Sequence, residues 1–452
     1  MSVVSPAIDW ERANQEIVTH LCELLRLDTR NPPGNEGRAA EYLFAILDQA
    51  GIAAEIVGPH PDRGSLIARL PGDGSAPPLL LMSHTDVVAV EPDKWTHDPF
   101  SGEIADGFIY GRGALDMKNM VSMELMTLLL LKRANVPLKR DVIFMACADE
   151  EVSGAYGSGW IAQNCPELIQ AEYALSEGGG EGLEILGKRY YTVEAAEKGV
   201  SRFRLRTKGR PGHGSVPFQD NAILTLATLI SRLNSIRTPA HFTRTFCAYI
   251  EAVASTQPPE IAQAFRALLV DEASVDEAID ALPVPLTMKD ELHAMVRNTT
   301  APSILRAGSQ GNVIPSEAEA IIDSRRLPGC TLEQVEAELR DIFGSDADIE
   351  FISPEEPLEF DPASPLLDVI REVIQQFDPE ATVLPTILTG GTDAGNIVPL
   401  GIKVYGFEPI LFEKNGDGTG RIHGHDERIS IQSLQWGMSI LYEIVTRFVT
   451  EA

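Results

Sequence analysis

Two short, uninterrupted apolar segments constrain the fold of this 452-residue chain most strongly. Residues 79–82 (LLLM) and 142–146 (VIFMA) carry no charged side chain, which is typical of strands that are buried on both faces. Periodic patterns around them predict further elements: helices at 13–27, 36–50 and 121–133, and strands at 54–57 and 65–70. This alternation predicts an α/β fold, in which a mixed, largely parallel sheet is flanked by helices on both sides.

The pattern changes near residue 198. Residues 200–207 alternate apolar and charged side chains, as a strand with one solvated face does. Downstream patterns predict strands at 312–323 and 348–352, and helices at 221–236 and 332–343. We therefore expect an inserted α+β domain with β-α-β-β-α-β order over residues 198–353, including a helical excursion at 237–296. Residues 1–197 and 354–452 would form the first domain, whose last part is predicted as helix 364–377, Gly-rich loop 389–396, strand 403–406 and helix 431–448.

Composition restricts the partners of the chain. The net charge of −29 argues against nucleic acid and anionic membranes. No apolar run reaches the roughly 18 residues that a membrane helix requires. The five cysteines are scattered and form no CxxC pair, so no disulfide framework is expected. The N-terminal residues lack a signal-peptide pattern, and we expect a cytoplasmic protein.

Acidic and histidine side chains follow the predicted strands. His84 and Asp86 come directly after residues 79–82 and point the same way, because strand side chains alternate. A metal-binding histidine usually gives its other N–H to a carboxylate, and Asp86 could accept it. The alternative is a histidine that ends a strand with an unrelated aspartate nearby.

Asp116 follows a glycine-rich turn. Gly111 and Gly113 allow the backbone to turn tightly and to approach another group closely. A carboxylate at that position could bridge two cations. The alternative is an ordinary helix N-cap, since aspartate is a preferred capping residue.

Three consecutive carboxylates, Asp149, Glu150 and Glu151, follow residues 142–146. They repel one another at a buried strand end unless cations offset their charge. One of the glutamates can bind a metal while its neighbour reaches a water molecule. Glu177 follows another apolar stretch in the same way, and His423 lies far downstream in the segment RIHGHDER.

These residues together predict a two-metal hydrolytic site. Two divalent cations would meet three carboxylates, from Asp116, Glu151 and Glu177, and two neutral imidazoles, from His84 and His423. The remaining single positive charge suits one bridging hydroxide. Nitrogen and oxygen ligands without a thiolate favour Zn²⁺, although Co²⁺ or Mn²⁺ could occupy such a site.

The chain resembles the M20 family of metallopeptidases, which includes glutamate carboxypeptidase, aminoacylase, succinyl-diaminopimelate desuccinylase and carnosine-type dipeptidases. The resemblance extends over nearly the whole chain, in family order. It is carried by these segments: SHTDVV, DPFSGEIADGFIYGRGALDMKN, ADEEVSG, SEGGG, GRPGHGSVP, GNVIPSEAEAIIDSRRLPG, TGGTDAGN and HGHDER.

The resemblance implies a role for each matched residue. Two zinc ions per subunit would be bound by five ligands: His84, Asp116, Glu151, Glu177 and His423. Asp116 would bridge the ions, with a cis peptide bond to Met117. Asp86 would orient His84, and Glu150 would be the general base.

The resemblance also implies substrate contacts, most of them in the inserted domain. His213 would steady the oxyanion across a homodimer that forms through this domain, and Asn312, Arg325 and Gly391 would contact substrate. His425 is a rival of His423 and Arg326 a rival of Arg325; the H-x-x-D-E and D-x-R spacings favour His423 and Arg325.

The expected activity is therefore hydrolysis of an amide or peptide bond adjacent to a free carboxylate, as in a carboxypeptidase or dipeptidase. An alternative is an N-acyl-amino-acid deacylase. A more remote alternative, from another functional class, is a catalytically silent binding protein with the same fold. The substrate would be a small peptide or an N-acyl amino acid.

Overall fold

The computed structural model describes residues 8–345, 347–413 and 420–451. The chain divides into two compact units. The first unit contains Met1–Ala195, Phe360–Thr386 and Thr392–Ala452, and the second contains Ala196–Glu359 and Ile387–Gly391.

Helices are distributed over both units. Their bounds are α1 (Trp10–Arg26), α2 (Gly37–Gln49), α3 (Lys118–Arg133), α4 (Ser158–Asn164), α5 (Ala222–Ser231), α6 (Arg244–Thr256), α7 (Pro259–Ala267), α8 (Val275–Ala281), α9 (Leu286–Met295), α10 (Leu332–Phe343), α11 (Pro365–Phe377), α12 (Ala394–Ile397) and α13 (Ile431–Thr450).

The strands are mostly short. Their bounds are β1 (Ala53–Val57), β2 (Ser65–Leu70), β3 (Leu79–His84), β4 (Glu103–Ala105), β5 (Phe108–Tyr110), β6 (Val142–Cys147), β7 (Tyr173–Ser176), β8 (Gly182–Ile185), β9 (Lys188–Glu197), β10 (Gly199–Val200), β11 (Phe203–Lys208), β12 (Gly212–His213), β13 (Thr299–Ala307), β14 (Val313–Ile314), β15 (Glu317–Arg326), β16 (Asp348–Phe351), β17 (Leu358–Glu359), β18 (Ala381–Leu388), β19 (Lys403–Gly406) and β20 (Arg428–Ser430).

The main sheet of the first unit has the strand order β1-β2-β6-β3-β7-β19-β9. Its centre is parallel, because β3 pairs in parallel with both β6 and β7, and β19 pairs in parallel with β7. The outer strands β1, β2 and β9 are antiparallel to their neighbours. The predicted α/β class, with a largely parallel sheet flanked by helices, is confirmed.

The central strands are buried because helices cover the sheet. Every residue of β3 and β6 is buried, as their continuous apolar sequences predict. Helices α1, α3, α11 and α13 pack against one another and contribute to the same hydrophobic core as these strands. The carboxyl ends of β6, β3 and β7 therefore lie side by side at one edge of the sheet, which is where α/β folds form their binding sites.

The second unit contains an antiparallel sheet with the order β13-β15-β11-β16. Strand β11 alternates as predicted, with Phe203 and Leu205 buried beneath α5 and α10. The predicted helical excursion is present as α6 to α9. Strand β13 is absent from the sequence-based prediction because it is a solvent-exposed edge strand that contains Pro302, so it lacks an apolar period.

Several other sequence-based boundaries need adjustment. The strand predicted at 200–207 is two strands, β10 and β11, and the one predicted at 312–323 is β14 followed by β15. The loop predicted at 389–396 ends in the short helix α12. Within the described residues, no helix has the length and apolarity needed to cross a bilayer.

Candidate metal centre

All five predicted ligands converge at the carboxyl edge of the main sheet. His84 is the last residue of β3, Glu177 follows β7, and Glu151 lies in the turn after β6. Asp116 precedes α3, and its bond to Met117 is the predicted cis peptide. His423 reaches this edge from the loop before β20, where its backbone adopts a left-handed φ of 59°.

These side chains form two groups that share Asp116. In the first group, His84 Nε2 lies 3.0 Å from Asp116 Oδ1 and 3.7 Å from Glu177 Oε2. In the second, His423 Nε2 lies 2.9 Å from Asp116 Oδ2 and 3.2 Å from Glu151 Oε2. Within each group the ligand atoms lie within 4.8 Å of one another. The two oxygens of Asp116 thus face different histidines, as a bridging carboxylate requires.

The donor set fits a pair of divalent cations. Two imidazole nitrogens and three carboxylates, without a thiolate, match the ligands of Zn²⁺ and related ions. Glu151 Oε1 is buried and has no hydrogen-bond partner among the described residues. A buried, unpaired carboxylate oxygen is costly, and a cation at this position would remove that cost.

The pKa shifts of the two histidines also indicate a site that favours positive charge. Burial opposes a charged His84, but Glu177, Asp116 and Asp86 outweigh it and raise the pKa of this imidazole. Hydrogen bonds to Asp116 and then Glu151 raise the pKa of His423 to about 10. The carboxylates around the two imidazoles therefore favour positive charge at this position, which a divalent cation would supply.

Asp86 supports the centre from behind. Its Oδ1 lies 3.4 Å from His84 Nδ1, and its two oxygens accept the backbone N–H groups of Glu150 and Glu151 at 3.1 and 3.2 Å. Asp86 is completely buried. One carboxylate thus contacts the ring of His84 and the turn that carries both glutamates.

Glu150 lies beside His84 but belongs to neither ligand group. Its Oε2 is 3.9 Å from His84 Nε2, and its side chain is 15% exposed. Burial, followed by the neighbouring charge of Glu177, raises the pKa of Glu150 well above the usual range for a carboxyl. A carboxyl with a raised pKa next to a metal site is suited to accept and return a proton.

His425, the alternative to His423 as a ligand, lies outside the two ligand groups. His425 Nε2 lies 3.1 Å from Glu91 Oε2 on the surface, whereas His423 faces Asp116. The structure therefore brings His423, and not His425, to the cluster.

The predicted substrate residues all belong to the second unit. His213 pairs with Val313 in the β12–β14 ladder, and the N–H of Gly214 donates to the carbonyl of Asn312 at 2.8 Å, so His213 and Asn312 are neighbours. The exposed ring of His213 has Nδ1 2.7 Å from Ser215 Oγ. Gly391 lies in the segment Ile387–Gly391.

The two adjacent arginines of β15 face opposite ways. Arg325 is partly exposed and donates from Nε to Asp323 at 2.7 Å. Arg326 is buried and donates to the carbonyls of Cys330 and Glu355. Arg325 is therefore the one whose guanidinium is accessible.

A buried ion pair near the centre is absent from the sequence-based prediction. Arg112 donates to Glu427 and, at 3.2 Å, to the carbonyl of His423. Glu427 Oε1 accepts the backbone N–H groups of Gly113, Leu115 and Asp116 at 3.1, 2.8 and 3.3 Å. The pair joins the two loops that carry Asp116 and His423. Both residues lie in the matched motifs, but their pairing depends on a contact that no local pattern reveals.

Comparison with known proteins agrees with this geometry. Residues 80–447 match the model of peptidase family M20/M25/M40. The chain belongs to peptidase family M20. Among its M20 relatives is the N-fatty-acyl-amino acid synthase/hydrolase PM20D1 of Bos taurus, which is 30% identical over 88% of this chain and 79% of that protein. Aminoacylase-1 of Sus scrofa is 27% identical over 95% of this chain and 94% of that protein.

Solved M20 structures share the fold. The M20 metallo-carboxypeptidase Sso-CP2 from Sulfolobus solfataricus superposes with a TM-score of 0.70 at 20% identity, covering 96% of this chain and all of that one. The family is metal-dependent and its members hydrolyse amide bonds. The chain is accordingly an amide-bond hydrolase.

Proposed function

We propose that this protein is a di-zinc hydrolase that cleaves an amide or peptide bond adjacent to a free carboxylate. The observation that carries the proposal is the position of Asp116, whose two oxygens face His84 at 3.0 Å and His423 at 2.9 Å. His84, Asp116 and Glu177 would hold one cation, and Asp116, Glu151 and His423 the other. Bound divalent cations would polarise the scissile carbonyl and make nearby water more acidic.

Glu150 is proposed as the general base. Its carboxylate lies 3.9 Å from His84 of the first ligand group, and its side chain remains 15% exposed, so a water molecule could reach it. Glu150 would take the proton of the attacking water and then deliver it to the leaving amine.

The second unit would supply the substrate contacts. Arg325 carries a permanently charged, planar guanidinium that suits the free carboxylate of the substrate. Its present partner is Asp323, at 2.7 Å. His213 and Asn312 are neighbours in the β12–β14 region, which supports a joint role in binding substrate. Gly391 would offer backbone contacts.

A second candidate is hydrolysis of N-acyl amino acids. Two relatives favour it by name, the N-fatty-acyl-amino acid synthase/hydrolase PM20D1 and aminoacylase-1, whereas Sso-CP2 is named a carboxypeptidase. Both reactions cleave a C–N bond beside a free carboxylate and need the same metal centre. They differ in what occupies the acyl side of the bond.

A homodimer through the second unit is also proposed. Strand β13 is the edge of its sheet, and Ile304 and Leu305 on this strand are 42% and 63% exposed. Ile223 and Leu224 on α5 are 41% and 59% exposed. An exposed edge strand with apolar side chains is a template for pairing with a second copy.

A cytoplasmic location is supported by the free thiols of all five cysteines.

The experiment uses a panel of dipeptides and N-acyl amino acids, each assayed with zinc and with a chelator. We expect hydrolysis that the chelator abolishes. Faster hydrolysis of the dipeptides would favour a peptidase, and faster hydrolysis of the N-acyl amino acids would favour a deacylase. Glu150→Gln should lower turnover by roughly 100-fold or more while two zinc ions remain bound. Glu151→Gln is the matched variant, because the same change at the neighbouring position should release one ion. Turnover of Glu150→Gln close to wild type would remove Glu150 from this role.

A further inference from the structure

The side chain of Asn31 connects two carboxylates behind the metal centre. Its Nδ2 donates to Asp86 Oδ2 and to Asp149 Oδ1, at 2.9 Å each. All three side chains are buried, with exposures of 6% for Asn31, 0% for Asp86 and 2% for Asp149. An amide nitrogen carries two hydrogens and no charge, so it can satisfy both acceptors at once.

Asp86 in turn contacts the residues proposed as general base and metal ligands. Its oxygens accept the backbone N–H groups of Glu150 and Glu151, at 3.1 and 3.2 Å, and Oδ1 lies 3.4 Å from the ring nitrogen of His84. A carboxylate with several acceptor directions can rotate between partners unless one of them fixes its plane. Asn31 donates to Asp86 Oδ2, the same oxygen that accepts the backbone N–H of Glu151, and would fix that plane.

Arg63 holds the other carboxylate. Its Nη2 donates to Asp149 Oδ1 at 2.6 Å, and its Nε and Nη2 donate to the two oxygens of Glu36 at 2.8 and 3.0 Å. Glu36 is fully buried, and the Arg63 side chain is 14% exposed. The guanidinium also lies over the ring of Tyr156, 4.9 Å from its centroid. A planar fork makes these contacts together, whereas a lysine could make only some of them.

Asp149 organises the turn that contains both glutamates. It has a positive φ of 74°, and its Oδ2 accepts from Ser153 Oγ and from the backbone N–H of Tyr156, at 3.1 Å each. Its carboxylate is followed directly in sequence by those of Glu150 and Glu151. Without a nearby positive charge, repulsion among these groups would favour opening of the turn.

We propose that Asn31 and Arg63 are positioning residues for the hydrolytic reaction. Asn31 fixes the plane of Asp86, and Arg63 compensates the charge of Asp149, so that Glu150 and Glu151 are held where the metal centre needs them. The inference rests on the proposed function, because it takes Glu150 as the base and Glu151 as a ligand.

The test compares Asn31→Ala, Arg63→Ala and Arg63→Lys with a matched control, Arg69→Ala. Arg69 on β2 forms a similar, partly buried pair with Asp141 at 2.8 Å, which involves none of the site residues. Two quantities are measured in the full-length chain: the affinity for Zn²⁺ alone, by competition with a chromophoric chelator, and kcat and KM on a substrate from the panel. Melting temperatures show whether each variant is folded.

Loss of an outer partner of a metal ligand typically costs roughly 10- to 100-fold in metal affinity or activity. Asn31 and Arg63 act through Asp86 and Asp149, which are not ligands themselves, so we expect the lower end of that range, about 10-fold, for Asn31→Ala and Arg63→Ala. The loss should appear in kcat more than in KM, be smaller for Arg63→Lys and be absent for Arg69→Ala. Metal affinity and kcat that match Arg69→Ala would overturn the proposal. If Asn31→Ala does not fold, the two Arg63 variants decide it. A wild-type chain that binds zinc but hydrolyses nothing would contradict the proposed function, and the affinity comparison would still test the positioning role.

Discussion

Asp116 Oδ2 lies 2.9 Å from His423 Nε2, although the two residues are far apart in the sequence. This contact defines the second ligand group, and it predicts a selective effect of removing the imidazole. His423→Ala should lower the zinc content from two ions to about one per chain, because His84, Asp116 and Glu177 remain. His425→Ala is the control, since His425 contacts Glu91 instead, and it should keep both ions. Elemental analysis of the two purified variants checks this; equal zinc content in both would contradict the ligand assignment.

The buried pair of Arg112 and Glu427 predicts a large stability effect. Arg112→Met leaves a carboxylate with a 0% exposed side chain without its cation, which typically costs about 3–5 kcal/mol. Lys94→Ala breaks an ion pair with Glu91 whose side chains are 57% and 61% exposed, and it should change the free energy of unfolding by less than about 1 kcal/mol. Urea unfolding of both variants measures the difference. Similar values for the two would show that burial of the Arg112 pair has little effect.

Lys198 predicts a pH dependence of stability in the alkaline range. Burial, and then the charges of Arg297 and Arg325, lower the pKa of Lys198 from 10.5 to about 7. Between these values the unfolded chain binds a proton that the folded chain does not, so the stability from this group rises with pH. Relative to Lys198→Met, the wild-type free energy of unfolding should increase between pH 7 and 10, by at most about 1.4 kcal/mol per pH unit. A constant difference in urea unfolding across this range would show that Lys198 keeps its ordinary pKa.

The proposed dimer predicts that polar substitutions act selectively. Leu305 on β13 is 63% exposed, and Leu305→Asp should convert the dimer to a monomer because it places a charge on the pairing edge. Leu286, at the start of α9, is 73% exposed and serves as the control, since Leu286→Asp should leave the assembly unchanged. Light scattering after size-exclusion chromatography gives the mass. A monomeric wild-type protein would exclude the proposed dimer. A dimer that persists in Leu305→Asp would show that the interface lies elsewhere.

The sequence predicts those parts of the fold that depend on local patterns. Strands β3 and β6 are continuous apolar runs, and the ends of such runs locate His84 and the Asp149–Glu151 turn. Strand β13 escapes prediction because it is exposed and interrupted by Pro302. A local sequence pattern does not predict this strand, because it is defined by its hydrogen bonds to the distant strand β15.

The contacts that support the metal centre are likewise not predicted by local sequence patterns. No local pattern in the sequence distinguishes Asn31 or Arg63 as part of the site. Their roles depend on contacts with Asp86 and Asp149, which lie far away in the sequence. His423 and His425 lie two residues apart, yet His423 contacts Asp116 and His425 contacts Glu91. Spacing can favour one of these histidines, but only the folded chain separates them.

The central claim is that two cations lie between these ligand groups and share Asp116. The most direct measurement is anomalous X-ray scattering at the zinc edge from crystals grown with excess Zn²⁺. The account predicts two peaks per chain, one among His84, Asp116 and Glu177 and the other among Asp116, Glu151 and His423. Crystals whose anomalous maps show no peak between these side chains, or place the zinc away from Asp116, would contradict it.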